Sequence, residues 1–218
     1  PKVSAFSDPT LPALGYYNLV MNNSSEIFVA AGNISTNNFT LTAGAFTAPS
    51  TMTIAGNFSS SGSFSSGGNA TVTFTASDAG DTINVGSGTT FGNIRFDNQF
   101  QDPTVGVWSF TGSGVANISN DFLMYGGTID NSNGTSSILI YNAGNFDSPN
   151  GAGIVNFTDS NHTVTLEADG NLRFGPSAGT EAWTFNNLTL TNAQQDARSV
   201  KANTGGTGPM PPKRPNPK

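Results

Sequence analysis

Apolar and polar residues alternate along most of this chain with a period of two. The segments TMTIAGNF, ATVTFTA, DTINVG and HTVTLEA place an apolar side chain at every second position, mostly with Thr or Asn between. Alternation over four to eight residues predicts β-strands with one buried face. Val72 and Phe74, for example, are expected on the opposite face from Thr71, Thr73 and Thr75. No window has a sustained helical period, so we predict an all-β protein.

Turn sequences rich in Gly, Ser and Asn separate these strands at intervals of roughly eight to twelve residues. Two architectures fit: an antiparallel β-sandwich, and a solenoid in which parallel strands stack in successive rungs. We favour the solenoid, because stacked rungs place like residues above like, which predicts Asn and Thr ladders outside and Phe ladders inside. At roughly 20 residues per rung, residues 26–191 would make about eight rungs.

Two blocks of about 83 residues match each other in order along the chain. VTFT at Val72 returns as VNFT at Val155, and FGNIRFDN at Phe91 returns as FNNLTLTN at Phe185. The match predicts three regions. They are an extended N-terminal capping segment (1–32), a solenoid of two repeats (33–112 and 113–197) and a basic C-terminal arm rich in Pro and Gly (198–218).

The run TMTIAGNFSSSGSFSSGGNATVTFTA, followed by DTINVGSGTTFGNIRFDN, resembles the repeats of secreted β-solenoid surface proteins of prokaryotes. In the second block, GNFDSPNGAGIVNFTD and WTFNNLTLTN are similar to the same pattern. The resemblance covers about residues 33–192, and neither end of the chain matches it. It implies a right-handed parallel β-helix with a structural or adhesive role outside the cell, and it assigns no active-site residue.

Charge is divided unevenly along the chain, whose formal net charge is −6. Three basic and fourteen acidic residues precede Arg198. The segment from Arg198 onward contains five basic residues and no acidic residue. An acidic body of −11 repels nucleic acid and anionic membranes, so we predict no nucleic-acid binding. No stretch approaches the roughly 18 apolar residues of a membrane span, so we predict no membrane insertion.

The composition favours a location outside the cell. The chain has no Cys, only 10% of its residues are charged, and Asn, Ser, Thr and Gly are abundant. These features are together typical of secreted chains. We therefore expect an extracellular protein, either secreted or attached to the cell surface.

Groups that could carry chemistry are few. The single His, His162, lies in the turn TDSNHTV and is expected to be solvent-exposed, and the absence of Cys excludes a Cys or His metal cluster. The best carboxylate pair is Glu167 and Asp169 near Arg173, which we interpret as an exposed strand end. GDTINVGSG is a single copy of a Gly-Asp pattern that binds calcium only in tandem, and we interpret it as a turn. We predict no enzyme activity and no cofactor.

Asn-x-Ser/Thr triplets provide candidate glycosylation sites. If the source organism does not glycosylate Asn, the same residues are turn positions or members of outward Asn ladders. The candidates are Asn22, Asn33, Asn57, Asn69, Asn117, Asn133, Asn156, Asn161 and Asn187.

The two ends of the chain predict self-assembly. A solenoid ends in rungs with unpaired backbone groups, and neither terminus has the pattern of a capping helix. The front segment, residues 15–32, predicts two extended apolar strands, and residues 204–218 predict a Gly hinge followed by an extended Pro-rich arm. The arm is basic and the body of an identical neighbour is acidic.

We therefore predict a structural subunit of an extracellular filament or cell-surface lattice, whose partners are copies of itself arranged head to tail. End rungs would stack, and the arm would contact the neighbouring subunit. The candidate interface residues are Tyr16, Tyr17, Leu19, Val20, Ile27, Val29, Pro209, Pro211, Pro212, Lys213, Arg214, Pro215 and Lys218.

The alternative function is a monomeric adhesin or carbohydrate-binding surface module, with surface glycans as its partners. Such a module would display exposed aromatic side chains, although aromatic residues at strand centres belong to the core more often than to sugar platforms. The candidates are Tyr16, Tyr17, Trp108, Tyr125, Tyr141 and Trp183.

Overall fold

The computed structural model describes residues 8–98, 105–132, 139–142, 144–149, 153–159, 162–167, 172–173 and 183–191. These residues form 21 strands of one continuous sheet and contain no helix. Every pairing between the described strands is parallel. The predicted parallel β-solenoid is therefore confirmed, and the antiparallel sandwich is wrong.

The strands, in chain order, are β1 (Thr10–Leu11), β2 (Gly15–Ala30), β3 (Ile34–Thr47), β4 (Thr51–Ile54), β5 (Phe58–Ser60), β6 (Ser63–Ser65), β7 (Thr71–Phe74), β8 (Ala79–Val85), β9 (Thr89–Phe91), β10 (Asn93–Phe96), β11 (Val107–Gly112), β12 (Val115–Ile118), β13 (Phe122–Met124), β14 (Gly127–Asp130), β15 (Leu139–Asn142), β16 (Phe146–Asp147), β17 (Gly153–Phe157), β18 (Thr163–Glu167), β19 (Leu172–Arg173), β20 (Thr184–Phe185) and β21 (Asn187–Thr191).

Three strands make one turn of the solenoid, because each strand from β4 onward pairs with the strand three places later. The first face contains β4, β7, β10, β13, β16 and β19. The second contains β5, β8, β11, β14, β17 and β20. The third contains β6, β9, β12, β15, β18 and β21. The long strand β3 crosses all three faces, pairing in succession with β4, β5 and β6.

The described solenoid has about six turns of three strands, preceded by the long strands β3 and β2. This is slightly fewer than the about eight rungs predicted over residues 26–191. The turns near the front have the predicted length, since Asn38 lies 20 residues after its partner Asn18. Later turns are longer, because Ser119 lies 28 residues after its partner Phe91. The extra residues are taken up at the corners between the strands.

The two 83-residue blocks do not place their matching segments on the same face. Val72 lies in β7 on the first face, whereas its counterpart Val155 lies in β17 on the second face. The structural period is the three-strand turn, and the division into two blocks stays a prediction.

The front segment forms one strand where two were expected. β2 pairs in parallel with β3 on all three faces, so it is the first full layer of the stack. Between Asn22 and Ile27, opposite Gly44, the pairing of β2 with β3 is irregular and forms a corner. Gly44 has a positive φ of 89°, and a Cβ atom there would meet the Asn23 carbonyl oxygen. Glycine at position 44 of β3 thus allows β2 to continue through the corner as a single strand.

Inward-facing residues stack in columns along the solenoid axis. On the second face, Leu19, Phe39 and Phe58 lie in successive layers, and the Phe39 and Phe58 rings stack with centroids 5.3 Å apart. Phe157 and Phe185 stack in the same column near the other end, with centroids 6.2 Å apart. The predicted inner Phe ladder is therefore confirmed. Rings in such contact add roughly 0.5–1.5 kcal/mol beyond the burial of their area.

Ten polar side chains are buried in the described chain, and two of them, Asn131 and His162, lie next to each other in the core. Asn131 takes the place of a ring between Phe110 and Phe157, and its amide group exchanges two hydrogen bonds with the Phe110 backbone, at 2.9 and 2.7 Å. His162 lies beside it, with Nε2 3.5 Å from Asn131 Nδ2 and its ring 6.1 Å from that of Phe157. The expectation of an exposed turn histidine is wrong. The backbone N–H of His162 closes a turn onto the Asp159 carbonyl, and this turn directs the ring inward.

Candidate assembly surface on the first layer

Exposed apolar side chains are concentrated at the front of the stack. Tyr17, Val20, Ile27 and Val29, all on β2, are 36% to 77% exposed, and we call these four residues the β2 stripe. Leu14, just before β2, is exposed as well. These five are the exposed large hydrophobic side chains of the whole described chain. Val20 lies on the second face, and Ile27 and Val29 lie on the third, beyond the corner at residues 22–26, so the stripe follows β2 around the solenoid. Exposed apolar side chains collected on one strand are candidates for an interaction site.

The alternation of β2 explains why the stripe points outward. Leu19 and Met21 face the core, and Leu19 is only 6% exposed, so Val20 between them faces away from the core. Tyr16 is half-buried, and its hydroxyl donates to the Pro12 carbonyl at 2.9 Å. Of the six front residues predicted for the interface, Tyr17, Val20, Ile27 and Val29 are therefore exposed, whereas Leu19 belongs to the core.

The stripe ends at polar neighbours on both sides. Across β3, Val20 pairs with Thr40 and Val29 pairs with Thr47. On the other side of β2, the described chain provides one short strand, β1, whose Thr10 pairs with Val29. The Val29 N–H donates to the Pro9 carbonyl at 3.1 Å, which places the exposed residue Asp8 near this end of the stripe.

A polar ladder runs along the outer surface from the first layer onward, starting at Asn18 of β2. Asn38 Nδ2 donates to Asn18 Oδ1 at 2.9 Å, Asn57 Nδ2 donates to Asn38 Oδ1 at 3.3 Å, and Thr82 Oγ1 donates to Asn57 Oδ1 at 2.8 Å. The same register column continues to the last described turn, with Thr184 Oγ1 donating to Asn156 Oδ1 at 3.0 Å. This column, the outer ladder, consists of Asn18, Asn38, Asn57, Thr82, Ser109, Asp130, Asn156 and Thr184. The predicted outer ladder of Asn and Thr is confirmed.

The ladder divides the candidate glycosylation sites into two groups. Asn57 and Asn156 donate their Nδ2 groups within the outer ladder, to Asn38 Oδ1 and Asp130 Oδ1 respectively. Asn117 and Asn187 use their side-chain amides in hydrogen bonds to backbone carbonyls. The other described candidates, Asn22, Asn33 and Asn69, are exposed, and Asn133 and Asn161 lie outside the described residues.

A sugar on Asn57 or Asn156 would be attached to the amide nitrogen that donates between layers, so these two positions fit the ladder interpretation. Asn22 and Asn69 are exposed, and Asn33 uses its Oδ1 to accept from the Ser50 hydroxyl at 3.2 Å. The structure describes no hydrogen bond donated by the Nδ2 groups of these three residues. A modification there would therefore break none of the hydrogen bonds that it describes for those groups.

Few groups suited to catalysis or metal binding come together in the described chain. Burial lowers the pKa of His162 against a smaller opposing effect of the Asp159 charge. Burial, and secondarily the charge of Asp78, raises the pKa of Asp81, which lies inside β8 and not in a turn as expected. Among the described residues, no three His, Cys, Asp or Glu side chains form a metal-binding group. Of the carboxylate pair near Arg173, Asp169 lies outside the described residues.

Most of the candidate sugar platforms are not available as flat exposed rings. Trp108 and Trp183 are buried in the core, and Trp183 Nε1 donates to the Gly153 carbonyl at 2.7 Å. The Arg95 guanidinium lies 3.9 Å from the centre of the Tyr125 ring and also pairs with Asp97. Tyr17 is the one candidate of this set that is largely exposed in the described chain, and the Tyr141 side chain lies outside it.

The remaining predicted interface residues, Pro209 to Lys218, lie outside the described residues. Reasoning from the sequence missed Asn131, which lies in the stretch TIDNSNG and has the appearance of a turn residue. Its role depends on register, since only its position opposite Phe110 makes its amide a substitute for backbone pairing. No pattern within one segment would have identified it.

None of the described residues form a helix of the length and hydrophobicity that a membrane crossing requires. Comparison of the chain with models of protein families, with curated proteins and with solved structures finds no match.

Proposed function

We propose that this chain is a structural, non-enzymatic subunit of an extracellular filament or cell-surface lattice, in which copies associate head to tail. The observation that carries the proposal is the β2 stripe, which collects the exposed large apolar side chains of the described chain on its first layer. Leu19 and Met21 are already buried within that layer. The contact that we propose therefore uses the outward side chains of the front end rung, together with the C-terminal arm.

The fold suits such a role. A parallel solenoid is a rod whose two ends differ, so a contact between front and back repeats in one direction and does not close. On the second face, outward Asn and Thr side chains form hydrogen bonds between layers, both near the front and at the last described turn. The low charge and the absence of Cys support a place outside the cell, as does the resemblance to secreted β-solenoid surface proteins.

The test is concentration-dependent association of the full chain, measured by light scattering and negative-stain electron microscopy. We compare the natural chain with a Val20→Thr and Ile27→Thr double variant. The matched control is Leu123→Thr, which changes a half-buried outward residue of β13 on another layer. We expect assemblies from the natural chain and the control but not from the double variant. A natural chain that stays monomeric at every concentration would sink the proposal.

The alternative function, a monomeric adhesin or carbohydrate-binding module, is supported by the exposure of Tyr17. It predicts binding to immobilised glycans by a monomer, and loss of that binding in Tyr17→Ser. Glycan binding without association would favour the module over the filament.

A further inference from the structure

We infer that the β2 stripe is the docking surface for the C-terminal segment Pro209–Lys218 of a second copy of this chain. The inference rests on the proposed assembly and names the partner of its first layer. The segment lies outside the described residues, so the argument uses its sequence and the described surface that it would meet.

The sequence of the segment is better suited to docking on outward side chains than to pairing with the edge of the sheet. Residues 209–218 contain five prolines, which have no backbone N–H and cannot donate to a further strand of the sheet. Pro-rich segments instead favour an extended conformation and dock on surfaces lined by aromatic and aliphatic side chains. The β2 stripe provides exposed aromatic and aliphatic side chains along one strand, with Tyr17 and Val20 before the corner at residues 22–26 and Ile27 and Val29 after it. An extended segment would therefore follow β2 around this corner.

Charge supports the same pairing. The segment carries Lys213, Arg214 and Lys218 and no acidic residue. The stripe includes no base, Glu26 lies between Val20 and Ile27 on β2, and Asp8 lies near Val29 at the other end. Basic groups on a Pro-rich segment would therefore meet carboxylates at the edge of the apolar surface, where such contacts guide association and are screened by salt.

The positions of the β2 stripe and of the last described strand favour a second copy as the source of the segment. β2 is the first full layer, whereas the last described strand, β21, ends at Thr191 on the last turn. About seven layer spacings of about 4.8 Å separate these ends by roughly 34 Å. In a head-to-tail arrangement the last described strand of one copy would lie close to the stripe of the next, which would leave a short distance for the residues after Thr191 to span. Reaching its own stripe would require the arm to run back over the whole stack, which a chain of 27 residues is long enough to do.

The absence of Cys from the chain allows a direct test by disulfide trapping in the full-length protein. The test variant carries Val20→Cys and Met210→Cys, and the matched control carries Leu123→Cys and Met210→Cys. We expect the test variant to form disulfide-linked dimers and larger oligomers under mild oxidation, at least about tenfold more than the control, because docking raises the local concentration of the two thiols. The oligomers should disappear on reduction and diminish in high salt.

Two results would overturn the inference. An internal disulfide that forms only within one chain, identified by peptide mapping at low concentration, would show that the segment folds back on its own stripe. Crosslinking no greater than in the control would show that the segment does not dock there.

Light scattering of the natural chain separates this inference from the proposed function. The natural chain could associate while the variant with Val20→Cys and Met210→Cys forms no disulfide between chains. That result would support the proposed filament and show that the arm does not dock on the stripe. A natural chain that never associates would remove both.

Discussion

The first layer of the solenoid and the turns behind it are alike on the inside and different on the outside. β2 buries Leu19 and Met21, and β4 buries Met52 and Ile54 in the same alternating way. Outward, β4 presents Thr, whereas β2 presents Val20 and its apolar companions. The inward residues of every layer must pack into the shared core, whereas the outward residues can differ according to the surroundings of each layer. Outward apolar side chains on other layers, such as Leu123, are half-buried, whereas those of the β2 stripe are exposed. This difference indicates a contact that the other layers lack.

The largest loss of stability is expected from a substitution among the inward-facing core residues. Phe58 is fully buried and touches Phe39, Phe64, Phe74 and Phe91. Phe58→Ala should lower the free energy of unfolding by about 3–5 kcal/mol, through lost transfer energy and a cavity. Urea unfolding measures the change. The outward neighbour provides a control, since Ser59→Ala should have an effect within about 0.5 kcal/mol, and equal losses in the two variants would contradict the inward assignment.

A smaller loss is expected where polar side chains enter the core. Asn131→Ala leaves the Phe110 N–H and C=O without the amide that pairs with them. Leaving buried backbone groups unsatisfied should lower the free energy of unfolding by about 1–3 kcal/mol. Asn84→Ala, at an exposed outward position of β8, serves as the control. If both substitutions were neutral in chemical denaturation, Asn131 would not be a substitute for strand pairing.

His162 should make this interior sensitive to acid. Its pKa is lowered from 6.5, chiefly by burial, so the folded protein favours the neutral ring. The stability that the neutral ring contributes is present above the unfolded pKa of 6.5 and is lost as the pH falls through the folded pKa. We expect His162→Gln to flatten the decline of unfolding free energy between pH 8 and pH 5 (about the span in which an ordinary imidazole titrates). An unchanged pH profile would contradict this.

Asp81 should affect the pH dependence of stability in the opposite direction from His162. Burial and the Asp78 charge raise its pKa above 3.8, so the folded protein favours the protonated carboxyl. The stability of that form is present below the unfolded pKa and is lost as the pH rises through the folded pKa. Asp81→Asn should therefore be more stable than the natural chain at neutral pH, and this advantage should shrink in acid. Thermal unfolding at several pH values tests it, with Asp78→Asn expected to give a weaker gain of the same sign.

The smallest change in stability is expected on the outer side of the first layer. Val20→Thr with Ile27→Thr keeps β-branched side chains at exposed strand positions, so the free energy of unfolding should change by no more than about 0.5 kcal/mol. The same variant should nevertheless lose association. Unfolding curves that match the natural chain, combined with a loss of light scattering, would sharpen the contrast between the two sides of β2. A large loss of stability would show instead that these side chains support the fold.

Much of the architecture could be predicted from the alternation of side chains. Val72 and Phe74 are buried while Thr71 and Thr73 face outward, because a strand presents successive residues to opposite faces. Stacking of like residues predicted both the Phe column and the outer ladder. The number of turns was less predictable, since corner segments of varied length make some turns longer than others.

The candidate surface could be located only in part. Tyr16, Tyr17, Leu19 and Val20 all belong to one apolar stretch, and the sequence does not show which of them the fold covers. Parallel pairing of β2 with β3 places Leu19 over Phe39 and leaves Val20 beside Thr40. The difference between a core residue and a contact residue is thus decided by one step along the strand.

Local periodicity and the repetition of residue types were enough to predict the strand content and the chemistry of both ladders, and they favoured parallel stacking over a sandwich. Tertiary structure decided the roles of Asn131, His162 and Asp81. Each is a polar residue in an ordinary polar stretch, and each becomes buried because the layers above and below bring side chains against it. Burial and hydrogen-bond partners depend on which distant residues share a layer, and that information lies in the register between turns.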